Sequence, residues 1–165
     1  MKPALGLVSV ALLAGCGGAD RETAGPPRRE DFISQVDALC RSANPKLASI
    51  NAEILRARDD ARAGRAAPQE TFATFETLLG RARVVTARLL IQLRRIAPPA
   101  GEEEFHAALV DSLEAGASNV RSQVNAAHGQ DVAALRELSV EGSRLNARSK
   151  ELVQDRGGFR HCGRA

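Results

Sequence analysis

The sequence predicts an all-α fold, an up-down-up-down four-helix bundle. Beyond Asp31, apolar residues recur at steps of three and four, which is the period of an amphipathic helix. The period-two alternation of a half-buried strand is absent, and β-branched residues are sparse. The segments between the periodic stretches are short, so we expect neighbouring helices to run antiparallel. A three-helix bundle with one helix peeled away is the alternative.

The first helix is expected from Asp31 to about Gly64. Its apolar positions keep one phase across Pro45, which favours one kinked helix. The alternative, in which Asn44-Pro45 begins a separate helix, remains open at this point. The apolar positions of this helix are Phe32, Val36, Leu39, Ala43, Leu47, Ile50 and Ile54.

The second helix is expected to begin at Pro68-Gln69 and to end before Pro98-Pro99. Acidic residues lie near its start and arginines near its end, an order that complements the helix dipole. Its apolar face comprises Phe72, Phe75, Leu79, Ala82, Val85, Leu89, Leu93 and Ile96.

The third helix is expected to open at the acidic run 102–104 and to stop near His128-Gly129, and the fourth runs from Asp131 to Gly157-Gly158. The apolar positions of the third helix are Phe105, Leu109, Leu113, Val120 and Val124. Those of the fourth are Val132, Leu135, Leu138, Leu145 and Leu152.

One glycine interrupts each of the last three helices at about the same height: Gly80, Gly116 and Gly142. Glycine disfavours a helix interior, but it lets helix backbones approach closely. Because a dry void is costly, we expect a waist at this level. A ligand pocket at the same height is the alternative.

The N-terminus carries an export signal. One positive charge at Lys2 precedes an apolar run over Ala4–Leu13, which is too short to span a bilayer. Leu13-Ala14-Gly15-Cys16 resembles the lipobox of bacterial lipoproteins. The resemblance implies cleavage before Cys16 and attachment of diacylglycerol to its sulfur.

Three regions follow from this reading. Residues 1–15 form the lipoprotein signal peptide, residues 16–30 the lipidated cysteine and a flexible Gly/Pro-rich tether, and residues 31–165 the helical bundle domain. The expected location is the cell membrane, lipid-anchored on its extracytoplasmic face, with membrane lipid contacted through Cys16.

Seven arginines are expected at the tethered end: Arg28, Arg29, Arg94, Arg95, Arg156, Arg160 and Arg164. The net positive excess is small, because they are opposed by Glu30, Asp31, Glu102, Glu103, Glu104 and Asp155. The hypothesis is a weak attraction to anionic headgroups, and the alternative is that these are ordinary helix-capping charges.

Two cysteines remain in the expected bundle. Cys40 lies early in the first helix and Cys162 follows the fourth, so the topology brings them to one end. In an oxidising compartment they are expected to form a disulfide. A zinc site of Cys40, Cys162, His106 and His161 is the alternative. The sequence around Cys40, together with Cys162-Gly163, also resembles small exported lipoproteins of high-GC bacteria, a resemblance that carries no activity with it.

The composition argues against several partners. The formal net charge is +3 and falls to +2 once Lys2 is removed, but Trp and Tyr are absent. Without such aromatic platforms, neither nucleic acid nor sugar is an expected ligand.

No catalytic motif stands out. The chain has one Glu103-x-x-His106 element, whereas a di-metal bundle needs two, and it lacks a Gly-x-Ser-x-Gly or Cys-x-x-Cys-His motif. We therefore expect no catalytic residues, no metal and no cofactor, and a protein that is not an enzyme.

The expected function is that of a helical interaction or spacer module, with another envelope protein as partner. The alternative is a lipoprotein that binds a small ligand or a metal in the bundle core or at the Cys40/Cys162 end. An interaction module should have a filled core and an outer apolar or charged surface, whereas a ligand binder should have a cavity.

Overall fold

The computed structural model describes residues 27–163. These residues form four helices and no strand: α1 (Arg29–Arg62), α2 (Pro68–Leu93), α3 (Glu103–His128) and α4 (Val132–Arg156). The all-α four-helix bundle predicted from periodicity is confirmed, and the helix boundaries lie within a few residues of those expected. The predicted signal peptide, Cys16 and most of the predicted tether lie outside the described residues.

The first helix continues through Pro45 as one element. Proline has no N–H, so the carbonyl of Arg41 loses its usual helical donor. Arg41 is exposed, so its carbonyl can be hydrated. The apolar side chains on both sides of the proline pack into one core, which stabilises the continuous helix that the shared phase predicted.

Local side-chain chemistry sets the ends of α4. Asp131 accepts a hydrogen bond from the backbone N–H of Ala134 at 2.9 Å, as an N-cap residue should. Gly157 adopts φ +69° directly after the helix, in the left-handed region that favours glycine. The chain therefore turns sharply at Gly157, and residues 158–163 run back towards α1.

The core consists of two clusters. The disulfide-end cluster, at the end of the bundle where α1 begins and α4 ends, contains Phe32, Val36, Leu93, Ile96, Phe105, Leu109, Val153 and Cys162. The second cluster lies further from the disulfide along the bundle. It contains Ile50, Leu78 and Ala82, with Leu47, Ile54, Val85 and Val120 packed against it. Helix α4 contributes to the first cluster and not to the second.

The helices pack in chain order, and the first and last do not close the ring. α1 packs on α2, α2 on α3, and α3 on α4, whereas no Cα of α1 lies within 8 Å of a Cα of α4. At the disulfide end, the segment 157–163 bridges α1 and α4. At the opposite end, which we call the far end, the space between them is an open groove.

The predicted apolar faces are mostly correct, with one shift in α4. Val132, expected in the core, is exposed, and Val153, not on the expected face, is the buried residue of α4. The other expected positions of α4, Leu135, Leu138, Leu145 and Leu152, are half-buried. α4 packs on α3 alone over much of its length, so its inward face is narrower than that of a helix with two neighbours.

The predicted glycine waist is wrong at two of its three positions. A Cβ added to Gly80 or Gly116 would meet no atom within 4 Å outside its own helical turn, so no neighbouring helix presses on them. A Cβ on Gly142 would lie 3.0 Å from Asn119 Oδ1. Close approach therefore occurs only at Gly142, where α4 meets a polar side chain of α3.

Because a neighbouring helix approaches Gly142 but not Gly80 or Gly116, replacing these glycines with alanine should have different effects on stability. Gly80→Ala and Gly116→Ala should each raise the free energy of unfolding by about 0.5–1 kcal/mol, because alanine favours the helix and has room. Gly142→Ala should gain nothing or destabilise, because its Cβ displaces Asn119. Urea denaturation of the three variants measures this. Equal stabilisation at all three positions would contradict the close approach at Gly142.

Candidate functional site

The two cysteines of the bundle form a disulfide, as the topology predicted. Cys40 and Cys162 are bonded, and their Cα atoms lie 5.1 Å apart. The alternative zinc site is therefore wrong, because both thiolate ligands are consumed in the bond. His106 instead places Nε2 3.0 Å from the carbonyl oxygen of Leu93. Within residues 27–163 no group of three or more potential ligands could hold a metal ion.

Polar contacts dock the C-terminal segment beside the disulfide. Asp37 Oδ1 accepts hydrogen bonds from three backbone N–H groups, those of Arg160, His161 and Cys162, at 2.9, 2.6 and 3.1 Å. Asn44 donates to the carbonyl of His161 at 2.8 Å. The segment is thus fixed to α1 by more than its covalent bond.

These contacts lower the pKa of the Asp37 carboxyl. Burial acts to raise its pKa, but the backbone N–H groups of His161, Cys162 and Arg160 together outweigh it, and the pKa lies below the ordinary value. Because the pKa of Asp37 is lower in the folded state, its contribution to stability is present above about pH 4 and is lost as the pH falls further.

A buried carboxylate joins three helices at the same end. Glu102, only 2% exposed, lies at the start of α3 and accepts hydrogen bonds from Arg29 Nε at 2.7 Å and Arg156 Nε at 2.8 Å. Arg156 makes a second contact through Nη2 at 2.6 Å, so its guanidinium binds the carboxylate with two nitrogens. Arg29 also donates to the carbonyl of Arg156 at 3.1 Å, which satisfies the end of α4.

This ion cluster changes the expectation for the tethered end. Four of the arginines expected to attract anionic lipid are paired within the protein: Arg28 with Asp31, Arg29 and Arg156 with Glu102, and Arg94 with Glu114. Arg95 and Arg160 are exposed without such a pair among the described residues, and Arg164 lies outside them. Most of the charge at this end therefore holds the bundle together.

The groove between α1 and α4 is the candidate functional site. It encloses about 670 Å³ and is floored by Phe75 and Leu79 of α2 and Gln123 of α3. Leu55 on α1 and Val140 on α4 form apolar rims, and both belong to the few large apolar residues that are exposed. An apolar surface of this kind on the outside of a filled core is typical of a binding surface.

The polar groups at the floor of the groove bond to one another. Asn119 donates to the carbonyl of Leu138 at 3.0 Å, and Gln123 donates to Asn119 Oδ1 at 2.5 Å. Gly142, one turn beyond Leu138, makes room for this contact. The network attaches α4 to α3 and holds one wall of the groove in place.

Basic residues dominate the charge of the groove. Arg58 and Arg62 on α1 and Arg136 on α4 line it at the far end, and no acidic residue lines it. Arg58 lies 3.5 Å from exposed Asp59, whereas Arg62 and Arg136 form no ion pair with any carboxylate of residues 27–163. The groove therefore combines apolar side chains on its floor and rims with polar walls and a cationic end.

Within residues 27–163, the following hydroxyl, imidazole and carboxyl groups do not converge on one site. Ser112 Oγ lies 2.6 Å from Ser149 Oγ, with no imidazole beside the pair. His128 contacts Glu76 at 3.2 Å at the exposed end of α3. Glu103 accepts a hydrogen bond from the Gly101 N–H at 2.7 Å, so it supports the loop before α3 and does not pair with His106.

Comparison with known proteins places the chain in no family. No protein-family model matches it, and neither the curated proteins nor the solved structures provide a significant match. None of the helices within the described residues is long and apolar enough to cross a membrane.

Sequence reasoning missed both the groove and the polar contacts. One signal for the groove was present, because the fourth helix carries fewer apolar residues than the second and cannot fill a seam with two neighbours. A signal for the floor was Asn119, a polar residue beside apolar Val120 on the third helix. Nothing in the sequence marked Asp37 or Glu102 among the many surface carboxylates.

Proposed function

We propose that the protein is a lipid-anchored module on the extracytoplasmic face of a cell membrane that binds another envelope protein through the α1–α4 groove. The observation that carries the proposal is the open seam between the first and last helices, apolar on its floor and rims. The disulfide closes the same seam at the other end, so the opening is confined to the end that is distant from the tether.

The lipid anchor supports this function in a simple way. Cys16 attaches the chain to the membrane, and the tether joins the bundle at the start of α1. The groove begins near Asn51, so α1 carries it roughly 30 Å from that point, at ~1.5 Å per residue. A binding surface held above the bilayer can reach a second protein of the envelope.

The arrangement supports binding more than catalysis. A nucleophile needs a base within hydrogen-bond reach, and the described serine pair has none. The buried carboxylate of Glu102 and the half-buried carboxylate of Asp37 both hold the disulfide end together. We therefore propose that the protein is not an enzyme.

The small-ligand alternative is less well supported. A ligand site needs polar groups that converge on the space and are free to bind. At the floor of the groove, Gln123 is already bonded to Asn119 and to the Leu138 carbonyl. Arg62 and Arg136, which pair with no carboxylate of residues 27–163, lie at the far end of the groove. The groove is also long and open at its rims, a shape that suits a segment of protein.

Photocrosslinking in intact cells of the native host tests the proposal. A photoreactive phenylalanine at Val140, on the groove rim, should yield a product with a second envelope protein. The same residue at Ile91 on α2 is a matched control, because both side chains are 50% exposed. Cys16→Ser should abolish palmitate labelling and lower the Val140 product, since the module then loses its anchor.

Each of three results would contradict a part of the proposal. Equal products from Val140 and Ile91 would mean that the groove is not a specific surface. Palmitate labelling that survives Cys16→Ser would refute the anchor. Loss of labelling with an absent Val140 product would leave an anchored chain without this binding site.

A further inference from the structure

The two walls of the groove are formed by the antiparallel helices α1 and α4, and both line the groove over the same number of residues. On α1 the lining residues extend from Asn51 to Arg62, and on α4 from Leu135 to Asn146. Each wall measures about 16 Å at a rise of 1.5 Å per residue, which corresponds to about three helical turns. On both walls the lining positions recur at steps of three and four, as in the seam of a helical bundle.

We infer that the groove binds an acidic amphipathic helix of about three turns, which takes the position where α1 and α4 fail to meet. This inference rests on the proposed function of the groove as a protein-binding surface. The apolar face of the helix covers Phe75 and Leu79 and packs between Leu55 and Val140. This is the way in which an amphipathic helix occupies an apolar groove.

The charge of the groove specifies the polar flanks of the helix. Arg58, Arg62 and Arg136 lie together at the far end, and no residue that lines the groove is acidic. At the other end of the groove, nearer the disulfide, the amides of Asn51 and Asn146 line the walls. The partner helix therefore carries its carboxylates near one end, over the arginines, and uncharged polar residues near the other.

A second copy of this chain fits the groove poorly. The exposed apolar residues of α2, Val84 and Ile91, could supply a helical face, but exposed Arg88 lies between them on that face. Docking that face would place arginine against arginine. The far-end arginines also oppose a symmetric pairing of two grooves, because like charges would meet.

The tether of the chain itself fits no better. Residues 17–28 contain no apolar side chain larger than alanine except the two prolines, so they offer no face for Phe75 and Leu79. The occupant is therefore a separate protein.

Charge-reversal variants test the inference in the crosslinking experiment at Val140. Arg58→Glu with Arg136→Glu should lower the Val140 product about tenfold, because two attractions become repulsions. Arg58→Lys with Arg136→Lys should keep most of it. The matched control is Arg121→Glu with Arg148→Glu, which makes the same charge change at exposed positions off the groove and should leave the product unchanged. Thermal unfolding verifies that each variant is folded.

Mass spectrometry of the crosslinked product identifies the segment that occupies the groove. An acidic amphipathic helix in the partner supports the inference. A product that persists in the reversed variant, a basic or extended segment, or a second copy of this chain would overturn it while leaving the groove a protein-binding surface. A product with lipid, or no product, would instead overturn the proposed function itself.

Discussion

Replacing both bundle cysteines, Cys40→Ser with Cys162→Ser, should lower the free energy of unfolding by about 5 kcal/mol. The bond closes a loop with a sequence separation of 122 residues, so its loss frees nearly the whole bundle in the unfolded state. Single domains are stable by roughly 5–15 kcal/mol, and the variant is therefore expected to be marginal. Urea denaturation of the mature protein measures the change.

The docked C-terminal segment provides the control for this prediction. Asp37 and Asn44 still bind the segment when the disulfide is absent, so the native structure should be kept. The wild type reduced with dithiothreitol should match the serine variant, because both remove the same cross-link. A loss below about 1 kcal/mol would mean that the segment detaches from α1 before the bundle unfolds, contrary to the loop-closure argument.

Periodicity was sufficient to predict the helices because each one buries a face against the next. α1 and α2 show this best, since Phe32, Val36 and Ile50 on one and Leu79, Ala82 and Leu93 on the other are buried as expected. Asp131 and Gly157 marked the ends of α4 through their local chemistry. The disulfide could be predicted because up-down-up-down topology alone brings both cysteines to one end.

The groove could not be predicted from the same signals, because periodicity says which face a helix buries and not how many neighbours cover it. Leu135 and Leu138 fit a core face in sequence, yet they are half-buried beside an open seam. The prediction of a waist at Gly80, Gly116 and Gly142 was wrong for a related reason. Residues at the same height along the bundle need not face another helix, and Gly80 and Gly116 do not. Glu102 was one acid among three in sequence, and only the fold distinguishes it.

Arg156→Gln should lower the free energy of unfolding, because it leaves the buried Glu102 with one ionic partner in place of two. The exposed Arg148→Gln on the same helix should change it by less than ~0.5 kcal/mol. Adding Glu102→Gln to Arg156→Gln should recover part of the loss, since the uncompensated charge is then removed. Urea denaturation of the wild type, Glu102→Gln, Arg156→Gln and the double variant completes the cycle.

The pH dependence distinguishes a buried charge from lost packing. The hydrogen bonds from Arg156, followed by those from Arg29, outweigh burial and hold the pKa of Glu102 below the ordinary 4.5. The contribution of the pair is therefore fully present above about pH 4.5 and declines as the pH falls through the lowered pKa of Glu102. Wild type and Arg156→Gln should converge in stability over the interval in which the pH falls from 4.5 through the lowered pKa of Glu102. A difference that stays constant over that interval would assign the effect to the contact of Arg156 with the Phe105 ring, 6.0 Å from its guanidinium carbon.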